Sequence, residues 1–240
     1  MEKYHRIIFK ISGEALKGKQ TEYIFDGAMV SDLAKVIKEY VHLGLEVGIV
    51  VGAGNIWRGK LSNILGISSI DGDYMGMLGT VINALALKHV LEKEGVSAEV
   101  LSAIPVSNLV PAYDAELANR LLNEKKVVVF AAGTGKPQFT TDTCAALRAI
   151  DINADVILMA KDGVEGVYTA DPFVDKNAKL IKNTTYDELL NLHVKVMDEK
   201  ALELLSKTNI DTIVFKMNDL GNFLKVLKDD TIGTHIKRGK

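Results

Sequence analysis

Short runs of β-branched and aliphatic residues alternate with longer amphipathic runs along the whole chain, and this alternation limits the fold more than any other feature. Arg6–Ile11 reads as a strand that ends at Ser12-Gly13. Gly27–Leu43 reads as a helix: Leu33, Val36, Ile37, Tyr40 and Val41 share a face, Asp26 stands at its start and Gly44 past its end. Val47–Val51 is a buried strand. Tyr74–Glu94 reads as a long helix with Asp73 as candidate cap and Gly95 beyond it. Strands over Ala98–Leu101 and Val127–Ala131 precede a helix over Asp142–Ile152 and a strand over Asp155–Met159. Val164–Tyr168 reads as a short hairpin element, followed by a helix over Asp198–Lys207, a strand over Asp211–Phe215 and a last helix over Leu220–Lys228. Such an order predicts an α/β fold, a mostly parallel central sheet covered by helices on both faces. With no internal repeat and no linker rich in Pro, Gly or Ser, residues 1–240 are expected to form a single domain.

Composition excludes several classes. The 29 basic and 31 acidic residues leave a net charge of −2, so neither nucleic acid nor an anionic membrane is expected as partner. A lone cysteine, Cys144, allows no internal disulfide and no cysteine-built metal site, and its apolar helix suggests inert packing. The histidines show no i, i+4 metal spacing, and no Gly-x-Ser-x-Gly elbow is present. Met75, Met77 and Leu78 read as core, and the lysines near the carboxyl end as a solvated tail. No unbroken apolar run reaches the roughly 18 residues of a membrane helix, and the amino end has no secretory pattern, so a cytoplasmic protein is expected.

In open parallel sheets, ligands sit beyond the carboxyl ends of the strands. Lys10-Ile-Ser-Gly13 follows the first strand, where a glycine lets amides approach a phosphate and the lysine adds charge. An ordinary strand exit explains those residues equally well. Gly52-Ala-Gly-Asn55 with Arg58 follows the next strand; Trp57 stands where a dinucleotide fingerprint needs glycine, and a plain βα turn fits too. Gly133-Thr-Gly-Lys-Pro-Gln-Phe-Thr-Thr-Asp142 is the richest loop, leading into a helix whose free N–H groups would favour an anion. It fails the Walker pattern at Phe130 and Pro137, and Thr141 or Asp142 could simply cap the helix. Lys161-Asp-Gly and Val167-Tyr-Thr-Ala-Asp-Pro172 follow the fourth strand; Lys161 suits a phosphate and Tyr168 a flat base, although a polar hairpin with a core tyrosine is also consistent. Together these loops point to phosphate-bearing ligands and to phosphoryl transfer, a chemistry that needs positioning and positive charge.

At these motifs the chain resembles the bacterial uridylate (UMP) kinases of the amino-acid kinase superfamily, almost end to end. The matching segments are Lys10-Ile-Ser-Gly-Glu-Ala-Leu16, Gly52-Ala-Gly-Asn-Ile-Trp-Arg58, Gly72-Asp-Tyr-Met-Gly-Met-Leu78, Ala132-Gly-Thr-Gly-Lys-Pro-Gln-Phe-Thr-Thr-Asp142 and Gly166-Val-Tyr-Thr-Ala-Asp-Pro172. The resemblance implies a three-layer αβα sandwich and transfer of the γ-phosphoryl of ATP to UMP, with Mg²⁺, for pyrimidine nucleotide biosynthesis. It places Lys10, Ile11, Ser12, Gly13, Gly54, Arg58, Lys161, Asp162, Tyr168 and Asp171 at ATP. Ala53, Asp73, Thr134, Gly135, Lys136, Pro137, Gln138, Phe139, Thr140 and Thr141 would face UMP. Lys10, Arg58 and Asp142 are the catalytic candidates, and no metal ligand is assigned. The UMP side would lie mainly in the first half and the 133–142 loop, the ATP side mainly in 155–240.

A cytoplasmic homohexamer inhibited by UTP is implied as well. Three departures stand out: Ala53 and Lys136 replace the usual glycine and asparagine of their loops, and Gly18-Lys-Gln-Thr-Glu-Tyr23 keeps only Gly18 of a glycine-rich stretch, which argues against GTP activation. The readings to be separated from this one are a kinase of the same superfamily acting on a carboxylate or carbamate, and a non-catalytic nucleotide-binding regulator.

Overall fold

The computed structural model describes residues 3–18, 22–192, 196–217 and 220–239. The chain runs β1 (Arg6–Ile11), α1 (Glu14–Lys17), α2 (Gly27–His42), β2 (Glu46–Val51), α3 (Lys60–Leu65), α4 (Ser69–Lys93), β3 (Ala98–Ser102), α5 (Ala115–Asn123) and β4 (Val127–Ala131). It continues with α6 (Thr141–Asp151), β5 (Val156–Lys161), β6 (Val167–Tyr168), β7 (Leu180–Ile181), β8 (Asn183–Thr185), α7 (Tyr186–Leu192), α8 (Glu199–Leu205), β9 (Asp211–Lys216), α9 (Leu220–Lys225) and β10 (Thr234–Lys237). Eight strands form one sheet in the order β3-β4-β2-β1-β5-β9-β10-β8. The first six are mutually parallel, β10 runs antiparallel to β9, and β8 runs parallel to β10. β6 and β7 pair as a separate antiparallel ribbon, the hairpin expected near Tyr168.

Alternation along the strands divides the core. Ile7, Phe9, Ile11, Ile49, Val129, Leu158 and Phe215 face α2, α4 and α9. Ile8, Val50, Val128, Phe130, Ile157, Met159 and Val214 face α5, α6, α7 and α8. Both faces are therefore covered, as near-continuous apolar strands require. Leu33, Val36, Ile37 and Tyr40 are buried in this core, and Cys144 is too, its thiol pushed up to about 11 by burial.

Several local expectations are corrected. α4 starts at Ser69, not Tyr74, because Ser68 caps it by accepting from Asp71 N; Asp73 lies inside the helix. Thr140, not Thr141 or Asp142, caps α6. Of the three residues read as core on α4, only Met77 is buried; Met75 and Leu78 lie on its outer face. α4 is also long and apolar enough, by length and composition alone, to cross a membrane, although Gly, Thr and Asn break its apolar runs. Its inner face, with Val81, Ala84, Leu87 and Leu91, packs into the core. Lys225, Lys228 and Lys237 near the carboxyl end are exposed as expected, although Thr234, His235 and Ile236 of β10 beside them are buried.

Candidate functional site

The four glycine-, lysine- and threonine-bearing loops follow β4, β2, β1 and β5, which are adjacent in the sheet. They consequently stand side by side at one edge. The strand order turns there, because β2 and β5 flank β1 on opposite sides, the arrangement that opens a crevice for ligands.

Register builds the cationic centre. Lys10 is paired with Met159 across β1 and β5, and Lys161 lies two residues on, so both lysines project on the α6 side of the sheet, one pleat apart. Lys10 is 8 % exposed and its Nζ lies 2.8 Å from Asp142 Oδ1 in the first turn of α6, an ion contact without the direction of a good hydrogen bond. Lys161 Nζ donates to the Val196 carbonyl at 2.8 Å. Burial lowers the pKa of Lys161; Asp142 opposes this and the charge of Lys10 adds to it. Two cations and one carboxylate thus form a centre with an excess of positive charge, suited to a polyanion.

The first two loops interlock. A Cβ on Gly13 would fall 2.5 Å from Gly54 N and 2.7 Å from the Gly52 carbonyl, so only glycine fits there. The amides of Asn55 and Asn83 pair reciprocally, at 3.0 and 2.8 Å, and Asn83 also donates to the Gly52 carbonyl at 2.7 Å. Arg58 donates from Nε to the Gly54 carbonyl and meets Glu14 at 2.7 Å from Nη2, linking the loops from the solvent side. The methyl of Ala53 is accommodated by α4: a Cβ on Gly79 would stand 3.0 Å from it.

α4 clamps the 133–142 loop at its two strained points. Ala132 and Gln138 have φ of 60° and 67°, costing about 1 kcal/mol each for residues with a Cβ. Ala132 N donates to Thr80 Oγ1 at 2.7 Å, and Gln138 N to Asp73 Oδ2 at 2.8 Å. Asp73, Met77 and Thr80 follow helical spacing along one face. Buried Arg148 donates to the Gly133 carbonyl and lies 3.4 Å from the Tyr113 ring centroid, a cation–π contact.

At the far end, Asp198 caps α8 and accepts from the Thr140 hydroxyl, Thr143 N and the Thr143 hydroxyl. Burial resists its charge, yet these hydrogen bonds and the one from Ala201 N hold its carboxyl below the usual range. Lys200 Nζ lies 4.6 Å from the Phe139 ring centroid. The N–H groups of Asp142 and Thr143 are already taken by Thr140, and Thr143 N by Asp198 too, so the expected free anion site at the start of α6 is corrected.

Two cavities are lined by these loops, and Lys161 of the lysine centre lines the larger. The larger, about 510 Å³, is lined by Lys161, Val164, Tyr168, Asp171, Phe173 and Leu192 among others. The smaller, about 300 Å³, is lined by Ala53, Gly54, Trp57, Asp73, Met77, Phe139, Thr140 and Thr141. Gly54, expected beside ATP phosphates, thus lines the cavity of the UMP candidates. Thr134, Gly135, Lys136, Pro137 and Gln138 do not line it; Thr134 Oγ1 instead accepts from Lys136 N and ties the loop's own turn. Lys10, Ile11, Ser12, Gly13, Arg58, Asp142 and Asp162 line neither cavity. The sequence reading missed Thr80, Asn83, Arg148, Phe173 and Lys200. Polar residues recurring on the inner face of α4 were the available signal for the first two.

Fold and site together define an α/β protein with a mostly parallel sheet, a buried lysine pair at the carboxyl ends of its central strands and two cavities lined by the loops that follow them. The model of the Amino acid kinase family matches residues 5–216, and the chain belongs to that family. Among solved structures, UMP kinase from Ureaplasma parvum is similar at 38% identity and TM-score 0.92, over 98% of this chain and 99% of that one. UMP kinase from Bacillus anthracis is similar at 36% identity and TM-score 0.94, over 99% and 97%. Uridylate kinase from Archaeoglobus fulgidus is similar at 29% identity and TM-score 0.77, over 98% and 100%.

Proposed function

We propose that this chain is an ATP-dependent UMP kinase, transferring the γ-phosphoryl of ATP to UMP to give UDP and ADP. The observation that carries this reading is that Lys161 of the buried lysine centre lines the larger cavity, while Thr141, next to Asp142 in the first turn of α6, lines the smaller. Full-length similarity to UMP kinases selects UMP over a carboxylate or carbamate as acceptor.

ATP occupies the larger cavity, its base beside Tyr168 and its phosphates running toward Lys161 and Lys10. UMP occupies the smaller, held by Asp73, Phe139, Thr140 and Thr141. A phosphate oxygen of UMP is already ionised near neutral pH, so in-line attack on the γ-phosphorus needs no strong general base. Lys10 and Lys161 neutralise charge on the transferred group, and Arg58 reaches it by leaving Glu14. Asp142 Oδ1, buried without a well-directed hydrogen bond, suits a Mg²⁺ carried with the phosphates, a cation commonly held by one or two carboxylates. Such an ion would withdraw charge from the phosphate oxygens.

Ile70, Tyr74, Met75, Leu78 and Ile82 on the outer face of α4, with Ile64 and Leu65 on α3, are exposed and support assembly of copies, a homohexamer by family resemblance. A cytoplasmic setting and inhibition by UTP belong to the same reading. The departure at residues 18–23 argues against GTP activation; residues 19–21 lie outside the described residues. A coupled assay of ADP release over a panel of acceptors, with and without UTP and GTP, tests all of this. Release that requires UMP is expected; release with a carboxylate or carbamate instead, or none at all, refutes it.

A further inference from the structure

We infer that Phe173 is a binding residue of the larger cavity, an aromatic wall that packs on the base of the nucleotide held there; this rests on the ATP reading of that cavity. Phe173 is 78 % exposed, unusual for so large an apolar ring, and it lines the cavity. Its position is built. Asp171 Oδ1 accepts from Phe173 N at 2.9 Å, and the Asp171 carbonyl accepts from Val174 N and Asp175 N, fixing the turn that carries the ring.

The ring crosses toward the turn after β5. A Cβ built on Gly163 would lie 3.4 Å from Phe173 Cζ, so the ring tip rests beside that glycine. Gly163 has φ of +79°, and it borders Val164, another lining residue. Two loops, one from β5 and one after β6, are thus bridged at the cavity rim by a single aromatic side chain. Val164 and Leu192 supply further apolar lining, while Lys161 supplies charge at the sheet edge. This division matches a ligand with a flat, weakly polar end and an anionic end. Stacking uses the face that every base presents, so the wall holds the base without reading its edge.

The test measures ATP affinity by equilibrium titration of the full chain and KM by the coupled assay. Phe173→Ala is expected to weaken ATP binding about 10-fold, the scale of base–aromatic stacking, and to leave KM for UMP and saturated turnover near normal. Phe173→Trp keeps ATP affinity within about twofold. Binding of inorganic tripolyphosphate, which has no base, is unchanged in Phe173→Ala. Val174→Ala, an equally bare neighbour outside the lining, changes nothing. ATP affinity within about twofold of the parent in Phe173→Ala overturns the proposal, as does an equal loss for tripolyphosphate. If the parent chain binds ATP but shows no UMP-dependent ADP release, the reaction reading fails and the wall is still judged on the titration; a parent chain that binds no ATP overturns both.

Discussion

The amino and carboxyl ends of the same strands treat charge in opposite ways. At the amino ends Arg6 and Lys125 share the Glu46 carboxylate, and further protein acceptors complete the Arg6 guanidinium. Arg6 donates to Glu46 Oε2 at 2.7 Å, to Asn119 and Asn123, and to the Ile152 carbonyl. Lys125 meets the other Glu46 oxygen at 3.0 Å, and Asp155 accepts from the backbone N–H of His5 and Arg6. At the carboxyl ends Lys10 and Lys161 share one carboxylate, and burial lowers the pKa of Lys161. One end is saturated and ties β1, β2 and β5 together with α5 and α6. The other holds unneutralised charge against its own stability, which an anionic ligand would relieve. Binding chemistry is therefore expected only where the chain leaves its electrostatics unfinished.

The sharpest way to break this contrast is at Glu46, 4 % exposed. Glu46→Gln leaves Arg6 without its charge partner and is expected to cost about 4 kcal/mol in denaturant unfolding, with normal turnover by the folded fraction. A change below about 1 kcal/mol would show that the amino end is not the structural one. Lys10→Ala is expected to do the reverse: turnover falls about 100-fold while the melting temperature barely moves. Near-normal turnover would remove Lys10 from the transition state.

Asp73→Ala comes next. It frees Gln138 N and removes an acceptor from the smaller cavity, so KM for UMP should rise about 10-fold with KM for ATP unaltered. A rise for ATP alone contradicts the assignment. The smallest effects are titrations. Glu46 and Asp198 have lowered pKa values, so their stabilisation is complete above the ordinary values of 4.5 and 3.8 and disappears as pH falls through the lower folded values. Lys161 has the opposite sense. Between its lowered folded pKa and 10.5 the unfolded chain holds the extra proton, so stability rises with pH across that window. Phosphate binding should raise the Lys161 pKa again, so within that alkaline window calorimetry in buffers of different ionisation enthalpy should register proton uptake, lost in Lys161→Met.

Much of this was legible in the residues. Asp26, which the sequence puts at the start of α2, is its cap in the structure, because a cap is decided within three residues. The start of α4 was misread for a related reason: Asp73 and Ser68 are both good caps, Gly72 looks like a breaker, and choosing between them depends on packing against Ser62 and Trp57. α5, capped by Asp114, went unread although its signals are local. Thr80 and Asn83 passed as ordinary helix residues because their partners, Ala132 N and the Gly52 carbonyl, are 52 and 31 residues away.

The sequence by itself determined which segments are strands, which are helices and what chemistry each strand end carries, since propensity, periodicity and capping act over a few neighbouring residues. Only the tertiary structure decided that β4, β2, β1 and β5 stand next to one another, that Lys10 and Lys161 fall one pleat apart on the same face, and that Asp142 meets them from α6. Strand order and register are set by burying both faces of the whole sheet at once, a non-local condition that no window of residues contains.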